Sequence, residues 1–225
     1  MLNSFFSRNT LSLEVLARTI AVQMFTEEIK SAVEKLSSGG VVGIPTDTLY
    51  GLAANLFDET ALDRIYQIKG RPQKLALPVL ISTIDQLQMV SDEVSKTSLK
   101  LAHQFWPGPL TLVLQKTKDV ADVVSGGRPT VAVRVPDHPV PRVLSEWLGR
   151  PIVGTSANIT GSPSAESGAQ AASQIGELVD LVIEGSSFGR LESTIVDFTD
   201  KYPKILRQGA VPAEELQLFC PLLSC

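Results

Sequence analysis

Two short segments of the chain place cationic or polar side chains two residues apart, a spacing that suits the binding of phosphate groups. The first contains Lys69 and Arg71 in the run I-K-G-R-P. Pro72 disfavours helical geometry at Arg71, and in an extended chain residues two apart share a face. Lysine supplies a compact charge and arginine a planar fork, which together suit a polyphosphate. Alternatively, both are ordinary cations at a helix carboxyl terminus, where the helix dipole stabilises them.

The second segment places Ser156 and Asn158 in the run G-T-S-A-N, directly after the apolar residues Ile152 and Val153. Open α/β sheets bind ligands near the carboxyl ends of their strands, so these small polar side chains are candidates for ligand contacts. The loop continues with the hydrogen-bonding run I-T-G-S-P-S, which ends at Ser164. An ordinary turn is the alternative, because Ser and Asn are common in turns.

Three further charged residues follow predicted strands. Asp47 lies in the run P-T-D-T-L-Y-G, either as a ligand contact or as the cap of the next turn. Arg134 and Arg207 each end an apolar run. A single arginine of this kind is usually a surface ion-pair partner that contributes little. If both converged with Lys69 and Arg71, the four cations would form a pocket for an anion.

The composition excludes several classes of protein. The motifs G-x-x-x-x-G-K-[ST] and G-x-G-x-x-G are absent, so a nucleotide would be held by side-chain cations and isolated backbone donors. The two cysteines, Cys220 and Cys225, and the two histidines are poor material for a disulfide framework or a metal site, which predicts a cytoplasmic protein without a resident metal. No apolar run approaches the roughly 20 residues of a membrane span. A net charge of −4 argues against a nonspecific nucleic-acid surface.

Apolar periodicity and turn residues predict helices and strands that interleave along the chain. The first helix begins near Phe25, after which Thr26 is a plausible cap, and stops at Gly39. The other predicted helices are Thr60–Ile68, Ser91–Phe105, Pro139–Leu148 and Ser167–Leu178. The predicted strands are Val41–Ile44, Leu77–Ile81, Leu110–Gln115, Val131–Val135, Ile152–Thr155, Leu181–Glu184, Thr194–Phe198 and Ile205–Leu206. Because the pattern departs from strict βαβ alternation after residue 106, we expect an α/β fold with a mixed sheet.

The length of 225 residues predicts one domain. We place it at residues 25–210, between an N-terminal extension of residues 1–24 and a C-terminal tail of residues 211–225. The extension is rich in Ser and Thr and poor in acidic residues, with apolar residues on one helical face. An organelle targeting peptide has a similar composition; the alternatives are a helical extension packed on the domain and a start site assigned too early.

Taken in order, seven motifs of the chain resemble the series found in the YrdC family. The motifs are P-T-D-T-L-Y-G-L, I-K-G-R-P, W-P-G-P-L-T, V-A-V-R-V-P-D-H-P, T-S-A-N-I-T-G, E-S-T-I-V-D and I-L-R-Q-G. They extend from about Val41 to Gly209, and the paired K-x-R and S-x-N elements are the signature of that family. The resemblance implies an α/β fold in which an open twisted mixed sheet, flanked by helices, carries a concave cleft lined with positive charge.

The activity implied by the resemblance is that of a nucleotidyltransferase, which forms L-threonylcarbamoyl-AMP and pyrophosphate from L-threonine, bicarbonate and ATP. Mg²⁺ would accompany ATP and neutralise the leaving pyrophosphate. The product would pass to a tRNA threonylcarbamoyl transferase complex, for the N6-threonylcarbamoyladenosine modification at position 37 of tRNAs that read ANN codons. Weak binding of tRNA or double-stranded RNA is a further expectation about partners.

The resemblance also assigns roles to residues by motif position. The implied contacts to threonine or its carbamate are Thr46, Arg134, Gly154 and Ser193. The implied contacts to ATP are Arg71, Thr130, Ser156, Ser164 and Arg207. The implied catalytic set is the signature itself, which consists of Lys69, Arg71, Ser156 and Asn158.

The chain departs from the family pattern in two respects. Leu75 and Leu80 stand where the family often has a polar residue and a histidine, which puts one ATP contact and one threonine contact in question. Lys74 is a candidate substitute for the first. In addition, the C-terminal domain of longer family members is expected to be missing, because few residues follow Gly209.

Three alternatives remain open at this point. A divergent paralogue would keep the fold but lose or change the activity, and the Leu75 and Leu80 departures leave room for it. Such a paralogue could serve as an RNA-binding module that uses the same cleft, although the acidic net charge weighs against this. A carbamoyl-transfer enzyme is the third, and the chain lacks the additional segments of the longer proteins that carry out that reaction.

Overall fold

The computed structural model describes residues 23–187, 189 and 191–220. Its α-helices are α1 (23–37), α2 (Glu59–Lys69), α3 (Lys96–Phe105), α4 (Asp122–Ser125), α5 (Pro139–Leu148), α6 (Gly168–Ile175) and α7 (Ala213–Phe219). Its strands are β1 (Val42–Ile44), β2 (Gly51–Asn55), β3 (Val79–Leu80), β4 (Leu110–Gln115), β5 (Thr130–Arg134), β6 (Ile152–Ser156), β7 (Leu181–Val182), β8 (Thr194–Asp197) and β9 (Lys204–Arg207). Two 3-10 helices complete the described part, at Ile84–Met89 and Gly176–Leu178. Most of the possible targeting segment, residues 1–22, lies outside it, as does Cys225.

The strands form one sheet in the order β7-β1-β2-β6-β3-β5-β4-β8-β9. The pairs β7–β1, β3–β5 and β4–β8 are parallel, and the other neighbours are antiparallel. The predicted α/β fold with a mixed sheet is therefore confirmed. The strands β5 and β9 run opposite to β1 and β6. The carboxyl ends of β5 and β9 therefore lie at the end of the sheet where β1 and β6 begin.

Helices cover the two faces of the sheet unequally. One face packs along its length against the main core, to which α2, α3, α6 and α7 contribute buried residues. The other face carries a smaller core, in which Ile29 and Leu36 of α1 and Leu144 of α5 pack on Ile44 and Ile152. Within the described residues, this smaller core takes no side chain from β4, β5, β8 or β9. That half of the face instead carries the polar side chains of the cleft described below.

Local sequence accounts for the ends of the helices that lead to the site. Asp58 caps α2 and accepts a hydrogen bond from the Ala61 amide at 3.0 Å, while Gly70 ends the helix at a left-handed φ of 58°. Ser95 caps α3 in the same way, through the Ser98 amide at 3.0 Å. The predicted start of α3 at Ser91 is therefore wrong, because the helix begins after the cap.

No helix among the described residues is long and apolar enough to cross a membrane.

Part of the predicted C-terminal tail packs on the main core. Leu216 of α7 is buried, and the Phe219 ring meets Phe105 of α3 edge to face, with centroids 5.6 Å apart. Cys220 is buried in the same core. The division of the chain at residue 210 stays a prediction, and α7 offers a way to test it.

Two neighbouring leucines of α7 should respond differently to truncation. Leu216→Ala should lower the free energy of unfolding by about 2–4 kcal/mol, because it empties a buried site. Leu218→Ala should change it by less than about 0.5 kcal/mol, because that side chain is 76% exposed. Urea titration of both variants measures the difference. Equal small losses would mean that the core is complete without α7.

Candidate active site

A cleft of about 320 Å³ opens on the half of the sheet face that the smaller core leaves free. Seven of the residues predicted for the site line it: Thr46, Arg71, Arg134, Gly154, Ser156, Ser193 and Arg207. They come from both ends of the strands. Thr46 follows β1 and Ser156 ends β6, whereas Arg134 and Arg207 end β5 and β9, which run in the opposite direction. The site therefore lies on the face of the sheet and not along one row of strand ends.

Lys69 and Asn158 lie behind the cleft wall and hold Ser156 in place. The Lys69 ammonium is buried and donates to the backbone carbonyls of Ser156 and Asn158, at 2.6 and 3.0 Å. It also meets Asn158 Oδ1 at 3.2 Å, and that oxygen accepts from Ser156 Oγ at 2.6 Å. Burial, and secondarily the charge of Arg71, lower the pKa of Lys69 to about 8. The two signature pairs thus form one hydrogen-bonded unit.

The geometry of the K-x-R pair differs from the prediction. Lys69 is the last residue of α2, and the left-handed Gly70 separates it from Arg71. The two side chains therefore do not lie side by side on an extended strand. The alternative view, of cations at a helix carboxyl terminus, is right for the position of Lys69, but its ammonium binds the S-x-N turn.

Backbone carbonyls hold the guanidinium of Arg71 at the cleft. Its Nη2 donates to the carbonyls of Leu75 and Ala76, at 2.8 and 2.6 Å, and its Nη1 lies 3.4 Å from Thr155 Oγ1. The Tyr66 ring lies under the cation, 5.5 Å from ring centroid to Cζ. Leu75 therefore contributes through its carbonyl, so the loss of a polar side chain at this position leaves the anchoring of Arg71 intact.

Arg134 is the most buried of the three cleft arginines. Its Nη1 forms an ion pair with Asp47 Oδ2 at 3.1 Å, and its Nη2 lies 3.4 Å from Thr48 Oγ1. Burial lowers the pKa of Arg134, and the Asp47 carboxylate offsets part of that effect. The positive charge of Arg207 also lowers the pKa of Arg134, as a smaller effect.

The guanidinium of Arg207 binds the backbone carbonyl of Ser193. Its Nε and Nη2 donate to the Ser193 carbonyl at 3.1 and 2.9 Å, and its Nη1 pairs with Glu192 at 2.7 Å. Ser193 Oγ lies 2.8 Å from Thr111 Oγ1. The arginine is thereby fixed at the mouth of the cleft, beside the serine predicted to contact threonine.

Gly154 and Leu80 shape the floor of the cleft. A Cβ atom on Gly154 would collide with the Leu80 side chain, so a larger residue here would force Leu80 to move. Leu80 lines the cleft itself and packs into the smaller core. An apolar side chain therefore stands where the family pattern led us to expect a histidine.

Two predicted ATP contacts are not among the residues that line the cleft. Thr130 lies on the same face of β5 as Arg134, about 13 Å away along the strand. Ser164 lies in the loop that follows β6. Both roles remain predictions.

Several cleft residues were not predicted. Thr48, Thr111, Thr155 and Glu192 line the cleft beside the predicted set. A signal for Thr111 was present, since a lone hydroxyl interrupts the apolar run of β4, and Thr48 belongs to the P-T-D-T motif. Glu192 opens the E-S-T-I-V-D motif, but its pairing with Arg207 is visible only in the fold.

The arrangement can bring two anionic molecules together. Three guanidinium groups converge on one concave surface. The hydroxyl groups of Thr46, Ser156 and Ser193 line the same surface and can form directional hydrogen bonds with a ligand. Among the described residues, no group of three or more Asp, Glu, His or Cys side chains could hold a metal ion. Cations and hydroxyls held in this way can position anionic groups and stabilise developing negative charge.

Comparison with known proteins assigns the family. A family model named Sua5_yciO_yrdC, described as "Telomere recombination", matches residues 34–209. The threonylcarbamoyl-AMP synthase of Pyrococcus abyssi is 41% identical over 191 residues, covering 84% of this chain and 56% of the relative. The threonylcarbamoyl-AMP synthase of Photobacterium profundum is 32% identical over 187 residues, covering 81% of this chain and 100% of the relative. This chain thus spans little more than half of the P. abyssi protein and the whole of the second relative.

Solved structures agree. P. abyssi Sua5 complexed with L-threonine superposes with a TM-score of 0.82 at 41% identity, over 85% of this chain and 56% of that one. E. coli YciO superposes with a TM-score of 0.75 at 31% identity, over 84% of this chain and 92% of that one. Because the family model covers most of the chain and the sheet and its helices match those of known members, the chain belongs to the Sua5/YciO/YrdC family.

Proposed function

We propose that this protein is an L-threonylcarbamoyl-AMP synthase, a nucleotidyltransferase that joins L-threonine, bicarbonate and ATP and releases pyrophosphate. The observation that carries the proposal is the convergence of Arg71, Arg134 and Arg207 on one cleft. The names of the relatives and the bound L-threonine of P. abyssi Sua5 support it. The comparisons give no support to the alternative of an RNA-binding module.

Threonine and its carbamate would bind at the buried end of the cleft. Arg134 offers a guanidinium fork for a carboxylate, and Ser193 and Thr46 offer hydroxyls nearby. Gly154 keeps the floor open at this point. Leu80 would meet an apolar part of the substrate, and the threonine methyl group is the candidate.

ATP would bind toward Arg71 and Ser156, with Thr130 and Ser164 as proposed contacts farther along the nucleotide. Arg207 contacts Ser193, and its charge acts on Arg134 in the same cleft. It would therefore lie where the α-phosphate meets the carbamate. This position lets one cation serve both substrates. Lys69 and Asn158 would act from behind, by fixing the hydroxyl of Ser156.

The proposed reaction has two steps. The neutral amine of threonine and bicarbonate give a carbamate and water, and a carbamate oxygen then attacks the α-phosphorus as pyrophosphate leaves. The second step joins two anions, so the arginines must offset their repulsion, as in phosphoryl transfer generally. No protein nucleophile is required.

We propose that Mg²⁺ accompanies ATP and neutralises charge on the departing pyrophosphate. Glu192, which lines the cleft, and Asp47, which contacts the cleft residue Arg134, each pair with an arginine. Phosphate oxygens and water would therefore provide most of the ligands, as Mg²⁺ commonly prefers in nucleotide sites.

We also propose that the product is consumed by a tRNA threonylcarbamoyl transferase complex, which would place the group on N6 of adenosine 37 in tRNAs that read ANN codons. A carbamoyl-phosphate mixed anhydride is an activated acyl donor, which suits transfer to an amine. The support for this partner is the kinship with threonylcarbamoyl-AMP synthases.

Pyrophosphate release tests the proposed reaction directly. With ATP and Mg²⁺ present, release should require threonine and bicarbonate together, because the attacking oxygen belongs to the carbamate formed from both. A coupled phosphate assay measures it. Release with ATP alone would indicate a hydrolase, and no release from folded protein that binds ATP would favour a divergent paralogue.

Removing a cleft cation should remove most turnover without unfolding the protein. Arg71→Ala should lower kcat/KM by about 10²–10³-fold, since it deletes a preorganised donor, and Ser156→Ala should also remove most turnover. Arg150→Ala is the matched control, because Arg150 is exposed and lies against Phe57 outside the cleft. Steady-state kinetics and circular dichroism measure both properties. A globally unfolded Arg71→Ala protein would contradict its placement at an accessible site.

The depressed pKa of Lys69 predicts a pH-dependent contribution to stability. Its pKa is about 8 in the folded protein, against an ordinary value of 10.5. Between these values the unfolded chain binds more protons, so the stability of the wild type relative to Lys69→Met should rise with pH from about 8 to about 10. Urea unfolding of both proteins across this window measures the difference. A difference that falls with pH would show that the ammonium is better stabilised in the folded state than in water.

A further inference from the structure

The loop between β1 and β2 holds Arg134 from one side. Asp47 and Arg134 form an ion pair in which the side chains are 9% and 7% exposed, at 3.1 Å. Thr48 lies 3.4 Å from the second terminal nitrogen of the same guanidinium. Two consecutive residues of one loop thus contact the two terminal nitrogens of a guanidinium group that lines the cleft.

The loop is itself firmly braced. Thr46 Oγ1 accepts a hydrogen bond from the Thr48 amide at 3.1 Å and donates one to the Leu49 carbonyl at 2.7 Å. The Thr46 amide donates to Ser187 Oγ at 3.2 Å. Asp47 therefore presents its carboxylate from a backbone with little freedom to move.

The ion pair is incompletely satisfied. Asp47 Oδ1 is buried and has no hydrogen-bond partner among the described residues. A buried carboxylate oxygen without a partner is costly, and a buried ion pair is weak evidence of net stabilisation even when complete. Stability alone therefore gives a poor account of why Asp47 is there.

We propose that Asp47 is a positioning residue that acts through Arg134. Resting on the proposed function, the inference is that Asp47 aims the guanidinium so that its remaining donors meet the carboxylate or carbamate of the threonine substrate. Asp47 is not among the residues that line the cleft, so it would not touch the substrate itself. Its contribution is orientation, at the expense of some positive charge.

Charge and orientation predict opposite signs for the loss of this carboxylate. Asp47→Asn keeps the shape of the side chain but removes a negative charge beside an anion-binding arginine. If charge alone mattered, threonine would bind more tightly to this variant. If orientation matters, threonine should bind less tightly, because a small misplacement of a binding group has a large effect on reactivity.

Steady-state kinetics of four proteins tests the proposal: wild type, Asp47→Asn, Arg134→Gln and the double variant. Asp47→Asn should raise the KM for threonine by about 10–100-fold and leave the KM for ATP within about two-fold. In the Arg134→Gln background the same substitution should have no further effect on threonine, because its route of action is gone. Asp137→Asn, an exposed carboxylate three residues after Arg134, is the control and should match the wild type.

Four outcomes would overturn the proposal. A lower KM for threonine would show that charge outweighs orientation, and an equal rise for both substrates would indicate a general structural role. An undiminished effect in the Arg134→Gln background would mean that Asp47 meets the substrate directly. If Asp47→Asn does not fold, Asp47→Glu keeps the charge while displacing it, and the same rise for threonine alone is expected. The wild type is assayed first: an inactive wild type refutes the proposed synthase, whereas an active wild type with a silent Asp47→Asn refutes this inference alone.

Discussion

The constraint on which the rest of the structure depends is the cost of burying cations. An anion site needs several positive charges close together, and each loses solvation as the cleft closes around it. The protein meets this cost mainly with backbone carbonyls, which satisfy the donors without cancelling the charge. Lys69 binds two carbonyls of the S-x-N turn, Arg71 binds those of Leu75 and Ala76, and Arg207 binds that of Ser193. Only the most buried of the cleft arginines, Arg134, is matched by an almost equally buried carboxylate.

This solution explains why the sheet is built as it is. Backbone carbonyls without a partner occur where helices and strands end. The cations must therefore lie near the ends of these elements and not along uninterrupted strands. A mixed sheet supplies such ends at both edges, and the uneven coverage by α1 and α5 leaves half of one face for the side chains to cross. The large core on the opposite face keeps these ends in register. The cleft is thus a product of strand direction and helix placement together.

Sequence reasoning succeeded where the signal was local and failed where the chain folds back on itself. All eight predicted strands are present, because each contains a short apolar run. The strand β2 was missed because G-L-A-A-N is buried throughout and shows no alternation. The helix α7 was missed because residues 211–225 were assigned to a C-terminal tail. The cleft residues Glu192 and Thr155 escaped notice for a different reason, since their partners Arg207 and Arg71 lie 15 and 84 residues away. Family motifs located the site, but only the fold showed which side chains face it.

The signature contains two kinds of residue. A shared spacing suggested that Lys69 and Arg71, like Ser156 and Asn158, act as equal pairs on a ligand. In the structure one member of each pair faces the cleft and the other lies behind it, so the motif records a brace as well as a binding surface. The ammonium of Lys69 would then matter through the geometry of Ser156, and its depressed pKa would be a consequence of that buried position. A residue can thus belong to a catalytic motif because the fold needs it to hold a neighbour still, and the hydrogen bonds of Lys69 and Asn158 are of this kind.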